Sequence, residues 1–247
     1  MSFSSEQIQK ISKEISSKVS GKTLFDEFSR GRYSTDASVY QIKPLGVILP
    51  KDTNDVLNIM DYSQRNSIPL LARGGGSSQC GQTVGESVVL DYSKHQNKIL
   101  ELNVKDKYVW VEPGVVLDHL NEYLKPYGLW FPVDVSTSSR ATIGGMSANN
   151  SCGSRSLYYG NMVHNVLAIE AILDDGSIFT FDQIEKNFLE RKNNQDRLYK
   201  IIDKFIDVRQ KVTNDIKDNW PTTQRRVGGY NIDLIDPNGF NSSNLLV

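Results

Sequence analysis

The chain has 247 residues, with 28 Lys and Arg against 29 Asp and Glu and a net charge of −1. With the two signs well mixed there is no basic stripe for nucleic acid, and the apolar runs fall far short of a membrane span. A hydrophobic content of 38% is enough for a well-buried core, as one domain or as two small ones. The opening Met1-Ser-Phe-Ser-Ser-Glu6 lacks the charged start and apolar stretch of a secretory signal, which favours the cytosolic side, as a cytoplasmic protein or one peripheral to the inner face of a membrane. Two cysteines, Cys80 and Cys152, have no metal spacing and are too few for a disulfide framework.

Ile8, Ile11, Ile15 and Val19 recur at three- and four-residue spacing and predict an amphipathic N-terminal helix. Residues 45–49 form a short apolar run. Asp52 or Thr53 is then placed to cap a helix that buries Val56, Leu57, Ile59 and Met60. Ile68-Pro-Leu-Leu-Ala72 reads as a strand that delivers Arg73-Gly-Gly-Gly-Ser-Ser78, and Val88-Val-Leu90 as the next strand. Tyr108-Val-Trp-Val111 predicts another strand, and Val116, Leu117, Leu120 and Leu124 form a helical stripe. Val166–Leu173 and Ser177–Phe181 flank Asp174-Asp-Gly176, the signal of a hairpin with a two-residue turn. The polar stretch Arg191–Gln195 reads as a mobile loop, and the apolar spacing from Leu198 to Val212 predicts one helix near 196–217. The sum is an α+β arrangement of two small sheet-and-helix lobes meeting at glycine-rich loops.

Two polar stretches carry the chemistry. Pro132 to Gly160 is crowded with glycines, hydroxyls and amides and has few apolar side chains to bury, which suits a wall against a large polar ligand. Gly74, Gly75 and Gly76 remove every Cβ that blocks positive φ, so that successive N–H groups can converge on a phosphate oxygen, with the Ser77 and Ser78 hydroxyls as further donors. The loop is neither of the two familiar phosphate motifs. A dinucleotide-binding G-x-G-x-x-G needs glycine where Gln79 stands, and no Gly-Lys-Ser/Thr follows. His95, His119 and His164 lack metal spacing and read as surface or structural residues.

At these residues the chain resembles the FAD-binding PCMH-type flavoproteins, the vanillyl-alcohol oxidase and p-cresol methylhydroxylase family. The resemblance rests on Arg73–Ser78, Gln82, Glu112-Pro-Gly114, Pro132-Val-Asp134, Ala141-Thr-Ile-Gly-Gly-Met146, Asn149-Asn-Ser-Cys-Gly153 and Tyr159-Gly160. Arg32-Tyr-Ser-Thr-Asp-Ala-Ser-Val-Tyr40 is similar to the opening of the glycolate oxidase, D-lactate and D-2-hydroxyacid dehydrogenase branch, the FAD-linked oxidases. The resemblance implies a lead-in over 1–39 and an FAD-binding domain over 40–247, with lobes about 40–106 and 107–247 and the flavin between them. It places Arg73, Gly74, Gly75, Gly76, Ser77, Ser78 and Gln82 at the pyrophosphate and ribityl region. Pro132, Asp134, Ser138, Thr142, Gly144, Gly145, Asn150, Ser151, Cys152 and Gly153 line the opposite wall, and Gly160 and Val166 close the adenine end. Arg140 and Arg155 lie beside these loops and could complement phosphate charge.

Departures from the family pattern matter equally. Ser77 stands where members that bond flavin to histidine carry that histidine, and Arg140 near the cysteine of doubly bonded members, which implies noncovalent FAD. The segment from Gly229 to Val247 looks like the approach to the family's Gly-Ser-Glu-Gly-Thr-Leu stretch, so the resemblance places the cap, the substrate site and the catalytic residues beyond Val247. The implied activity is oxidation of a 2-hydroxy acid, with hydride passing from the carbinol carbon to flavin N5 and on to a separate electron acceptor. The alternatives are a flavin-carrying subunit of a multi-subunit oxidase, without a substrate site, and an enolpyruvyl-sugar reductase-like flavoprotein.

Overall fold

The computed structural model describes residues 3–189, 196–223, 225–227 and 229–247; the expected loop at Arg191–Gln195 lies outside them. The chain divides into two compact units: Met1–Phe131 with Ser136–Gly145 and Asp174–Gly176, and Pro132–Val135 with Met146–Leu173 and Ser177–Val247.

The first unit opens with α1 (Ser5–Ser16), which starts where Ser4 and Gln7 cap each other reciprocally and buries Ile11 and Ile15. It continues through β1 (Lys22–Leu24), α2 (Glu27–Arg32, capped by Asp26), β2 (Gly46–Leu49), α3 (Thr53–Asn66), β3 (Leu70–Arg73) and β4 (Val88–Asp91). The sheet order is β1-β2-β4-β3, with β1 antiparallel to β2 and both β2 and β3 parallel to β4. All four residues of β2 and of β4 are buried, as strands covered on both faces require. Alternation divides them between the faces. Ile48, Val88 and Leu90 pack with Ile11, Ile15, Ile59 and Tyr62 of α1 and α3, while Val47, Leu49 and Val89 meet Leu24, Tyr33 and Leu71.

Asp52 caps α3, and Ser67 ends it in the left-handed region at φ 52°. Between Arg73 and β4 the backbone forms no helix, as the sequence predicts. The unit then forms β5 (Ile99–Asn103), β6 (Tyr108–Val111) and α4 (Leu117–Leu124). Val115, Leu120 and Leu124 pack there on Ile99, Leu102, Val109 and Val111 of the β5–β6 hairpin.

The glycine-rich stretch 132–160 is more ordered and more buried than its composition indicates. It contains α5 (Ile143–Ala148) and α6 (Ser156–Tyr159), and it buries Val133, Ala141, Met146 and several polar residues. The second unit continues with β7 (Ile169–Ile172) and β8 (Ile178–Phe181), a shorter first strand than Val166–Leu173 predicts. The hairpin turn is also not the expected two-residue one. Leu173 N–H bonds to Ser177 O across three residues, the last being Gly176 at φ 82°.

Beyond β9 (Gln183–Glu185) and α7 (Lys186–Leu189), the helix expected near 196–217 is two helices, α8 (Arg197–Lys211) and α9 (Thr213–Asn219). Val212 leaves helical geometry between them, and the Thr213 hydroxyl donates back to Arg209 O, four residues earlier. Such a back-bond bends helices. Finally β10 (Gly239–Asn241) pairs with β9, and Ile184, Ile202, Ile235, Phe240 and Leu245 form the core of this unit.

One buried carboxylate joins the N-terminal lead-in to α3. Asp55 accepts hydrogen bonds from the N–H groups of Ser20, Gly21 and Lys51 at 2.7, 2.9 and 2.8 Å. Burial alone raises a carboxyl pKa, but these bonds and that of the Ser20 hydroxyl outweigh it and hold Asp55 below its ordinary 3.8. Asp55→Ala strands these donors and should cost about 2–3 kcal/mol in urea unfolding at pH 7. Because the folded-state pKa is depressed, the advantage of the parent over Asp55→Asn should be complete above pH 3.8 and fade as pH falls below it.

Candidate functional site

The residues implicated by the sequence fall into two groups, one on each unit. On the first unit, Arg73 ends β3 and Gly74–Ser78 turn away from the sheet. The Arg73 guanidinium faces inward: Nη1 donates to Tyr33 O at 3.3 Å and Thr83 O at 3.2 Å, and Nη2 to Thr35 O at 2.9 Å. It lies 5.2 Å from the centre of the Tyr33 ring, while the Tyr33 hydroxyl donates to Asp91 Oδ2 at 2.6 Å. Burial draws the Arg73 pKa down and pushes that of Tyr33 up, with the Asp91 bond reinforcing the rise in Tyr33. Arg73 therefore serves the loop from beneath, as a bracket for backbone carbonyls.

The three glycines do different things. Gly76 alone among them has a positive φ, 63°. A Cβ on Gly74 would stand 2.1 Å from Thr142 Oγ1, and one on Gly75 would stand 2.1 Å from Arg140 O. Those two glycines let the loop lie directly on Arg140–Thr142. Among the described residues, the N–H groups of Gly75, Gly76 and Ser77 donate to no protein acceptor. Gly75 is exposed and the other two are half-buried. Ser78 and Gln82 are brought together, Ser78 Oγ donating to Gln82 Oε1 at 2.5 Å.

The segment under the loop is built from the Glu112-Pro-Gly114 turn. Ile143 N–H bonds to Val115 O at 2.8 Å, Gly144 N–H to Pro113 O at 2.9 Å and Leu117 N–H to Ala141 O at 3.0 Å. Gly144 is needed for this approach, since its Cβ would lie 2.5 Å from Pro113 Cβ. Thr142 is buried, and its Oγ1 accepts from Gly145 N–H at 3.4 Å, while Ser138 O accepts from Asp118 N–H at 3.2 Å.

On the second unit, half-buried Pro132 leads to Asp134, whose carboxylate is committed to the chain itself. It accepts from Arg155 N–H at 2.9 Å and from the Ser154 hydroxyl at 2.7 Å. These bonds overcome the effect of burial and lower the Asp134 pKa. Gly153 is obligatory at this contact, because its Cβ would lie 1.6 Å from Asp134 O.

Asn150, buried with φ 41°, accepts from Val163 N–H at 3.1 Å. Ser151 is bonded through its backbone to Met146 and Met162, and Cys152 Sγ accepts from Arg225 at 3.3 Å. Gly160 has φ 79°, with the His164 ring 2.7 Å from where its Cβ would be. The backbone of Val166 is engaged on both sides: its N–H bonds to Met162 O, and its carbonyl accepts from Asn241 and Ser243. Arg155 lies 3.9 Å from Asp134, an internal pairing.

Tyr33, Asp36, Thr83 and Asp91 also shape the first group, and sequence reasoning assigned them no site role. The Asx pattern Asp36-Ala-Ser38 was a usable local signal for one of them; the others depend on tertiary contact. The described residues contain no cluster of His, Cys, Asp and Glu suited to a metal ion, and no helix among them is long and apolar enough to cross a membrane.

The family model described as "FAD binding domain" matches residues 44–182, a span that contains both groups. The chain belongs to this FAD-binding domain family. The D-2-hydroxyglutarate dehydrogenase of Haemophilus influenzae is 36% identical over 226 residues, covering 86% of this chain and 22% of that protein. The glycolate oxidase subunit GlcD of Bacillus subtilis is 35% identical over 175 residues, covering 69% of this chain and 37% of that protein. Among solved structures, the 4-ethylphenol oxidase of Gulosibacter chungangensis matches with a TM-score of 0.58 and 26% identity, over 72% of this chain and 35% of that one. The chain thus spans about a fifth of the first relative's length, and its FAD-binding domain has the PCMH-type fold.

The N–H groups of Gly75, Gly76 and Ser77 fit an anionic ligand such as the pyrophosphate of FAD, because they are donors without protein acceptors among the described residues. The glycine contacts give a test of the local packing. Gly75→Ala should lower the melting temperature by several degrees, since the methyl meets the Arg140 carbonyl. Gly31→Ala, with nothing within 4 Å of its Cβ inside α2, should leave it unchanged or raise it. Equal melting temperatures for Gly75→Ala and the parent would remove the close contact.

Proposed function

We propose that this chain is the FAD-binding portion of an FAD-dependent 2-hydroxy acid dehydrogenase or oxidase and holds its FAD noncovalently. The observation that carries this reading is the set of unpaired N–H groups at Gly75, Gly76 and Ser77, on a loop inside the FAD-binding family match. The names of the relatives, D-2-hydroxyglutarate dehydrogenase and glycolate oxidase subunit, support the substrate class.

When bound, FAD supplies the acceptor for the hydride that leaves the substrate's carbinol carbon. The work of this chain is to bind and orient. The N–H groups of the 75–77 loop take up phosphate charge, and the Ser77 and Ser78 hydroxyls and Gln82 extend the polar surface. On the second unit, Ser151–Gly153 and Gly160 offer backbone to the cofactor, with Asp134 fixing the turn after Gly153. Arg73, Asp134, Asn150 and Val166 act by shaping these segments, in keeping with their internal hydrogen bonds. The electron acceptor is a separate partner. A cytoplasmic location, a lead-in over 1–39 and a binding domain over 40–247 belong to the same reading.

Ser77 carries the argument for noncovalent attachment, because a serine hydroxyl replaces the histidine that bonds flavin in part of the family. Reconstituted protein freed of excess FAD should be yellow, and acid precipitation should move all of the colour to the supernatant. Colour left in the pellet would refute noncovalent attachment. A protein that folds and takes up no flavin would refute the cofactor itself.

A further inference from the structure

The lead-in Tyr33–Ser38 lies along the glycine loop and is bound to it at several points. Tyr33 O and Thr35 O accept from Arg73, and Ala37 N–H donates to Gly76 O at 3.2 Å. Asp36 secures the segment from the other side: Oδ1 accepts from Ser38 N–H at 2.8 Å, and Oδ2 from the Thr83 hydroxyl at 3.0 Å and its N–H at 3.4 Å. Thr83 O in turn accepts from Arg73. The lead-in closes on itself through the Thr35–Gln41 bridge and the bond from Ile42 N–H to Ser34 O at 2.8 Å.

The bond from Ala37 has a directional consequence. A trans peptide is planar, with its C=O and N–H pointing in opposite directions. Holding the Gly76 carbonyl on Ala37 therefore aims the N–H of the same peptide, that of Ser77, away from the lead-in. Ser77 N–H is one of the loop donors without a protein acceptor among the described residues. Because Gly76 has positive φ and no Cβ, this peptide would otherwise be free to rotate.

We propose that Tyr33–Ser38 is a strap that orients the Gly76–Ser77 peptide for FAD, with Asp36 and Thr83 as positioning residues, so that strap docking and FAD affinity are coupled. The proposal rests on the FAD reading above. Linkage makes the coupling reciprocal: if the docked strap favours FAD, bound FAD must favour the docked strap.

The test uses the 247-residue chain, its Thr83→Val and Asp36→Asn variants, and FAD itself as the probe. Thr83→Val removes only the hydroxyl donor to Asp36 and keeps the branched shape; Asp36→Asn retains an acceptor oxygen. FAD affinity is read from quenching of flavin fluorescence, apoprotein melting by circular dichroism, and amide exchange at Ala37 by NMR with and without FAD. The expected result is FAD binding about five- to tenfold weaker in Thr83→Val, a smaller loss in Asp36→Asn, little change in apoprotein melting, and slower Ala37 exchange in the parent once FAD binds. Parental affinity in Thr83→Val, or FAD-independent exchange at Ala37, overturns the strap. Should Thr83→Val fail to fold, the exchange measurement on the parent decides alone. Failure of the parent to bind FAD overturns the cofactor reading and the strap together, and is told apart because it appears without any substitution.

Discussion

The first unit's glycine loop depends on a half-buried guanidinium bonded to three backbone carbonyls. Arg73 reaches Tyr33, Thr35 and Thr83, three positions distant from it in sequence, and draws them to the end of β3. A cation partly withdrawn from water needs compensation, and here carbonyl dipoles, the Tyr33 ring and the nearby carboxylates of Asp91 and Asp36 provide it. The fork geometry matters. Arginine presents several fixed donors to acceptors in different directions, which a lysine ammonium on a flexible stem does not reproduce. With the charge bound internally, the loop is left with backbone N–H groups whose position is set by the bracket behind them.

Much of the scaffold was legible because periodicity and caps agree with the tertiary structure. The stripe Ile8, Ile11, Ile15 corresponds to α1, Asp52 caps α3, and Tyr108–Val111 is a strand as read. The departures have local causes. The helix near 196–217 breaks at Val212, beside the back-bond from Thr213 to Arg209, and the apolar spacing from Leu198 to Val212 carries no information about that bond. The turn at Asp174–Gly176 contains a recognisable glycine signal, but the number of residues between the paired ends is set by strand register. Short elements such as β1 and β9 have no periodicity to detect and exist through pairing with β2 and β10.

At the site, several of the side chains named from the sequence also hold the loops themselves together. Arg73, Asp134 and Asn150 read as ligand-facing from their surroundings, and each also makes hydrogen bonds to backbone packed beside it. Polar residues in a Gly-rich segment are needed to satisfy the backbone of segments that have no ladder or helix to do so. A sequence motif records that the residue is required there. It does not distinguish a contact to the cofactor from a contact to the loop that makes it.

The glycines show the same division in a form that can be read from geometry. For Gly74, Gly75 and Gly153 the missing Cβ makes room for protein, namely Thr142, Arg140 and Asp134. For Gly76 and Gly160 a positive φ is added to close contacts with the Arg73 and His164 side chains. The close contacts press one irregular segment onto another, and the donors left over then have no strand or helix neighbour. Among the described residues the N–H groups of Gly75, Gly76 and Ser77 are such donors. In a glycine-rich stretch of this type close packing fixes the backbone, and the fixed backbone presents the donors.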